Sequence, residues 1–265
     1  MRRSKVLFLA AAVAIAAVLP AGAAPQRVVS MNLCSDQLAM MLAAPGQLIS
    51  VSSLTQDPRL SPMADQAAAY APNSGRAEEI YLMRPDLVIA GTYTPAATIA
   101  MLRRLGIRIE SPPPAEDFPS IRAEILRMGD LLGRPGAARD LLDRFDAELQ
   151  AARRPAGRGR AALYDANGFT SGDGTLADAI LGAAGFDNIA TDRGIAGTTR
   201  LPMELLVIAR PDRLLTGSRW PGQSQAEAIL DHPALAAAAP VPAQVTDLYW
   251  TCGTPLVTRA IRSLE

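Results

Sequence analysis

Residues 78–91 read EEIYLMRPDLVIAG, and residues 204–217 read ELLVIARPDRLLTG. With Glu78 aligned on Glu204, Arg84-Pro85-Asp86 falls on Arg210-Pro211-Asp212 and Gly91 on Gly217, every pair 126 positions apart. In each copy a helix of about two turns ends at the arginine, because a proline drives its predecessor out of right-handed helical geometry; an apolar strand follows. R-P-D alone is ordinary helix-to-strand punctuation, and a glutamate favours the positive end of any helix. Glutamate, tripeptide and glycine recurring together at one offset predict more: two equivalent halves in one chain.

The rest of the chain fits that plan. Short apolar runs at 27–30, 48–51, 86–90 and 107–110 read as strands, with helical patterns at 36–43, 78–83 and 94–105 between them. After Pro112-Pro113-Pro114, residues 118–132 place Ile121, Ile125, Met128 and Leu132 on one helical face, and 137–154 do the same with Leu141, Leu142, Phe145 and Leu149. The second of these helices spans roughly 27 Å at 1.5 Å per residue, enough to join two lobes. Strands then resume at 161–164, 213–216 and 244–247, with helices at 175–184, 203–209, 226–230 and 255–264. Thr175 and Asp178 mark one helix start as N-cap and N3 acid. Alternating strands and helices predict an α/β protein with mainly parallel sheets, as two Rossmann-like lobes joined by a long rigid helix. The expected divisions are 24–135, 136–156 for the connecting helix, and 157–265. A helical connector resists the hinge bending that extended linkers permit, so small lobe motion is expected.

The first 23 residues read as a cleavable leader. Arg2, Arg3 and Lys5 precede the uncharged apolar run 6–19, and Ala21-Gly22-Ala23 supplies a small-x-small cleavage signal. That run is short for a bilayer span, and no cysteine follows it closely enough for lipid attachment, so the expectation is an exported, soluble periplasmic protein and not a lipoprotein. Without the three leader cations, 23 Lys and Arg face 26 Asp and Glu, which argues against a nucleic-acid partner. The lone His232, before Pro233, suits a helix start, and one histidine cannot build a His-rich cage for a bare ion.

Seven segments in order, RVVSMNLCSDQLAMMLA, LISVSSLTQDP, EEIYLMRPDLVIAG, LRRLGIRIESPPP, FTSGDGTLADAILGAAGFDNIA, LPMELLVIARPDRLLTG and TDLYWTCGTPLVTRAI, give the chain its kinship. It resembles the periplasmic binding proteins of iron-chelate and vitamin B12 ABC importers. The resemblance implies two lobes with a ligand cleft between them, a monomer, and delivery of a metal chelate to a dimeric membrane permease with its ATPase subunits. Corrinoid (cobalamin), haem and ferric siderophore all suit it, with a lean toward a macrocycle; the chelate is cargo, and no cofactor is expected. It further implies that Glu78 and Glu204, one per lobe, dock on basic sites of the permease. Glu79 is the alternative in the first lobe.

In open α/β sheets ligands lie beyond the carboxyl ends of the strands. Those ends put Asn32, Cys34, Tyr93, Phe169, Tyr249, Trp250 and Cys252 in the cleft. The four aromatics offer flat faces to a macrocycle, although core packing is the commoner use of such residues. Arg200 stands at the rim, where it meets a ligand anion or simply solvent. Cys34 and Cys252 should face each other across the cleft. They are inert small residues, thiolates on the ligand metal, or a bridge. Bridging comes last of the three, because it would pin lobes that must release cargo.

An enzyme, or a cysteine-dependent cofactor protein on the same fold, is the competing class. G-x-S-x-G is absent, H-E-x-x-H needs two histidines, and two thiols fall short of a four-cysteine cluster. The expectation is therefore a binding protein and not an enzyme.

Overall fold

The computed structural model describes residues 24–222, 224–238, 242–244 and 247–265; the expected leader, 1–23, lies outside them. Strands β1 (Val28–Ser30), β2 (Leu48–Ser52), β3 (Ala71–Asn73), β4 (Leu87–Ile89) and β5 (Ile109–Glu110) form a parallel sheet in the order β3-β2-β1-β4-β5. The second half contributes β6 (Arg160–Leu163), β7 (Phe169–Ser171), β8 (Asp187–Asn188), β9 (Thr198–Arg200), β10 (Arg213–Thr216) and β11 (Pro242–Gln244). Of these, β11-β10-β6-β8 make a second parallel sheet, and β7 and β9 pair as an antiparallel ribbon. The order β2-β1-β4-β5 in one lobe repeats as β8-β6-β10-β11 in the other, with β4 and β10 behind the duplicated motif. The chain is thus a bilobal α/β protein.

The central strands VVS and LVI are buried at every position, as parallel strands covered on both faces must be. Helices start where side chains satisfy their free N–H groups. Asn32 accepts from the N–H of Cys34 (3.0 Å) and Ser35 (3.4 Å) ahead of Leu33–Leu42, Asp117 and Ser120 form a reciprocal cap, and Thr175 accepts from Asp178 N–H (3.2 Å).

Two long helices, Phe118–Leu131 and Pro135–Ala152, lie between the sheets in sequence. Their buried faces, Ile121, Ile125 and Met128 on one and Leu141, Phe145 and Leu149 on the other, belong to one apolar cluster. That cluster also contains Val28, Leu48 and Leu87 of the first sheet and Ala161, Leu163 and Leu215 of the second. One continuous core joining both sheets through the helices is a rigid connection, since close-packed interiors deform little. At Gly129 an added Cβ would lie 2.3 Å from Ala138 Cβ, so only glycine lets the two helices approach this closely.

Two expectations need correction. The strand expected at 244–247 ends at Gln244, and Asp247–Trp250 is a helical turn; 245–246 lie outside the described residues. From that turn Tyr249 and Trp250 pack back onto the main core, and this packing outweighs their β-propensity. The helix expected at 226–230 is a 3-10 turn, Ala228–Asp231, followed by the helix Pro233–Ala238. His232 stands between them, its Nδ1 accepting from Ala234 N–H (3.2 Å), which is the helix-start use anticipated for it.

Candidate functional site: the cleft and its two rims

The duplicated motif is duplicated in three dimensions. Arg84 and Arg210 both adopt left-handed backbone (φ 50° and 48°), a conformation that costs an L-residue roughly 1–2 kcal/mol and ends each helix abruptly before its proline. Asp86 then accepts from the N–H groups of Gln26 (2.7 Å) and Arg27 (3.0 Å) at the head of β1, and Asp212 accepts from Arg160 N–H (2.7 Å) at the head of β6. The same two arginines return the favour: Arg27 donates to the carbonyls of Met83 (2.6 Å) and Arg84 (3.1 Å), and Arg160 to that of Ala209 (2.9 Å). Each R-P-D is therefore a clip that fastens a helix end to the start of the central strand.

This clip sits at the amino ends of the strands, so the opposite end of each helix points toward the carboxyl ends, where the cleft lies. Glu78 is the second residue of Ala77–Leu82 and Glu204 the second of Met203–Ala209, and both are exposed. Glu79 is occupied, accepting from the N–H (2.8 Å) and hydroxyl (2.6 Å) of Ser74, which leaves Glu78 as the outward carboxylate. One turn along, Leu82 and Ile208 occupy matching positions and are 78% and 70% exposed. Each rim thus presents an acid and an aliphatic side chain in the same arrangement.

Between the rims, three consecutive residues of the second lobe seat on the first. Cys252 is disulfide-bonded to Cys34, with Cα atoms 5.1 Å apart. A Cβ on Gly253 would lie 2.5 Å from Ala115 Cβ. Thr254 donates its hydroxyl to the buried Gln37 side-chain carbonyl at 3.2 Å. The bridge, placed last among the three readings of the cysteines, is the one present. The objection that it would pin the lobes loses its force here. The bridge lies at the cleft floor, where other contacts already hold the lobes together, and not across the mouth. Cys252 is buried, while Cys34 lines the cavity wall.

Thr251 is common to three cavities that open around this floor. The first, about 320 Å³, runs into the first lobe past Asn32, Cys34 and Tyr93 to Glu124 and Met128. The second, about 280 Å³, is bounded by Arg59 and Leu60 of one lobe and Arg219 and Trp220 of the other. The third, about 300 Å³, lies in the second lobe against Ser171, Thr198 and Trp250. Across the second cavity the Arg59 guanidinium stacks on the Trp220 ring, 5.0 Å from its centroid. Arg59 is itself held by Asp57 (2.6 Å), whose carboxyl its hydrogen bonds keep down at about 2, and Arg219 is paired with Asp231 (2.8 Å).

The expected cleft residues divide accordingly. Asn32 and Cys34 line the first cavity, as does Tyr93, 87% exposed. Phe169 and Arg200 are cross-strand partners on the β7–β9 ribbon, on the face shared with the cavity-lining Ser171 and Thr198; the Arg200 guanidinium stacks 5.4 Å from the Phe169 centroid. Trp250 lines the third cavity, and its indole N–H has no hydrogen-bond partner. Tyr249 does not join them: it packs on the core, and its hydroxyl accepts from Arg259 (3.2 Å) of the last helix, because the helical turn carries it away from the cleft. Sequence reasoning missed Arg59, Trp220 and Glu124. Among the described residues, no three His, Cys, Asp or Glu side chains come together as a metal site.

Two parallel-sheet lobes with a cleft at the strand carboxyl ends define a bilobal binding protein. Residues 28–241 match the family described as periplasmic binding protein, and the chain belongs to that family. A curated cobalamin-binding protein of Halobacterium salinarum is 28% identical over 202 residues, covering 73% of this chain and 54% of that protein. The chain therefore spans about half the length of the curated relative it matches. Among solved structures, the periplasmic heme-binding protein RhuT from Roseiflexus sp. RS-1 superposes with a TM-score of 0.73 at 24% identity, over 90% of this chain and 96% of that one. The periplasmic vitamin B12 binding protein BtuF of Vibrio cholerae gives 0.67 at 18%, over 91% and 95%. At these identities the structural likeness speaks for the fold.

Proposed function

We propose that this chain is the periplasmic substrate-binding component of an ABC importer, and that its cargo is a metal chelate of macrocycle size, a corrinoid before haem or a ferric siderophore. The observation that carries the reading is the cleft itself: three cavities meeting at Thr251 between the strand ends of both lobes, with Tyr93, Phe169, Trp220 and Trp250 around them. Flat aromatic faces suit a large ring. The preference for a corrinoid is supported by charge. Arg59 and Arg219, which line the cleft, each have an aspartate partner that offsets their pull on a ligand anion. The relative named as cobalamin-binding supports the same choice.

The reading extends to the partners. Glu78 and Glu204, alike in helix position and exposure, would dock on matching basic sites of a two-fold permease dimer with its ATPase subunits. Residues 1–23 would be removed on export, leaving a monomer with lobes 24–135 and 157–265 and the connecting helix region 136–156. Isothermal titration of residues 24–265 against cyanocobalamin, hemin and a ferric hydroxamate tests the cargo. Saturable binding of cyanocobalamin at 1:1 is expected; binding of none of the three, with tight binding of a bare divalent ion, overturns the reading.

A further inference from the structure

The first-lobe cavity holds one group that none of the foregoing uses. Its wall is apolar, formed by Leu33, Leu38, Pro113 and Met128 among others, yet it includes the side chain of Glu124. Glu124 is only 9% exposed. No N–H or O–H lies within hydrogen-bond distance of its carboxyl among the described residues; the nearest cation, Arg127, is 4.0 Å away and equally far from Glu110. Burial pushes the carboxyl's pKa up, and Arg127 offsets this only in part. A buried acid in such a place costs free energy unless something satisfies it. Structure alone gives it no reason to be there: the neighbouring turns of the same helix bury Ile121, Ile125 and Met128.

We propose that this cavity receives a carboxamide arm of the ligand, with Glu124 as the group that selects it. The inference rests on the corrinoid reading above, since a corrinoid ring carries carboxamide arms where haem carries carboxylates. A primary amide, with both donors and an acceptor, satisfies this carboxyl in either protonation state. Ionised, Glu124 accepts from the amide N–H; protonated, it also donates to the amide carbonyl, closing a pair of hydrogen bonds. The amide is neutral and brings no charge into an apolar space. A carboxylate arm would place a second acid beside the first, with Arg127 out of hydrogen-bond reach of Glu124. The volume of about 320 Å³ exceeds what one such arm needs, and Tyr93 and Asn32 lie at the cleft side of the same cavity.

The test compares dicyanocobinamide with dicyanocobyrinic acid, the same ring with carboxylates in place of amides, by titration into residues 24–265 of wild type, Glu124→Gln and Glu124→Leu. Wild type should bind the amide at least tenfold more tightly. Glu124→Gln is nearly isosteric and can donate to a carboxylate, so it should reduce the preference at least tenfold. Glu124→Leu should weaken the amide alone about tenfold. Melting temperatures within a few degrees of wild type show that both variants are folded. An amide preference unchanged within twofold in Glu124→Gln overturns the inference and leaves the corrinoid reading intact. Binding of neither ligand by wild type overturns both.

Discussion

Removal of the Cys34–Cys252 bridge is the perturbation whose size follows most directly from the structure. The bridge closes a loop with a sequence separation of 218. Loop-closure entropy for a ring of that length sets a ceiling of about 5 kcal/mol on its stabilisation, and denatured-state structure brings typical values to about 2–4 kcal/mol. Residues 24–265 unfold with an entropy of about 0.5 kcal/mol/K, so the loss corresponds to a fall of about 4–8 °C in Tm. Cys34→Ser with Cys252→Ser, and separately wild type with reductant, should both show this fall in differential scanning calorimetry. Ligand affinity should change only a few-fold, because Gln37–Thr254, Ala115–Gly253 and the shared core still hold the floor. A fall under about 2 °C, or two free thiols in the unreduced unfolded protein, would refute the closed-loop reasoning. Collapse of affinity at an unchanged fold would instead refute the view that the floor is held redundantly.

Three further outcomes are expected. Glu78→Ala and Glu204→Ala should each lower uptake several-fold in cells that lack the chromosomal copy, and the pair, like Leu82→Asp with Ile208→Asp, more than tenfold, with affinity unchanged by titration; exposed ion pairs are individually worth only about 0–1 kcal/mol. Gly253→Ala drives a methyl toward Ala115 and should cost about 1–3 kcal/mol in urea midpoint-derived stability, since the Ala115 methyl and backbone carbonyl it meets cannot swing aside. Asp36 is fully buried, and burial raises its pKa from 3.8 to about 6 despite hydrogen bonds from the Thr55 hydroxyl and the Ser52 N–H. The folded state therefore holds a proton that the unfolded chain has released. The stability due to this group is fully present below about pH 4 and is lost, by about 3 kcal/mol, as pH rises through 6. Asp36→Asn should flatten that slope between about pH 4 and 6 in urea titrations; an unchanged slope would assign it to other groups.

The duplicated halves were legible because R-P-D is a backbone device: proline dictates the helix exit, and the aspartate caps N–H groups whose partners are fixed by topology. Its reciprocal arginines, Arg27 and Arg160, went unseen because they do not share the 126-residue offset, although each heads an apolar run. The short strands β3 and β8 and the ribbon carry too little periodicity to register. The bridge was misjudged by reasoning from function to geometry; that the chain has just two cysteines, each following a strand at the cleft in its own lobe, was the better signal. Glu124 had a signal too: it falls on the apolar stripe of Ile121, Ile125 and Met128, where a charge is out of pattern. Arg59 and Trp220 lie in loops, and no spacing rule brings two such loops together across a cleft.

The location of the rigid parts bears on how cargo would leave. The shared core, the bridge and Gln37–Thr254 all lie at the floor, so the freedom remaining to the lobes is at the mouth, where the Arg59–Trp220 cation–π contact reaches from one lobe to the other. On the docking reading, Glu78 and Glu204 stand on the two rims of that mouth, each on a helix clipped to its sheet at the far end. A partner that grips both carboxylates would act on two stiff arms about a fixed floor, and a small separation of its basic sites would act first on the Arg59–Trp220 contact. Little of the ligand's binding free energy would then go into closing the lobes, which favours recognition by a preformed cleft and release by a partner that spreads the rims.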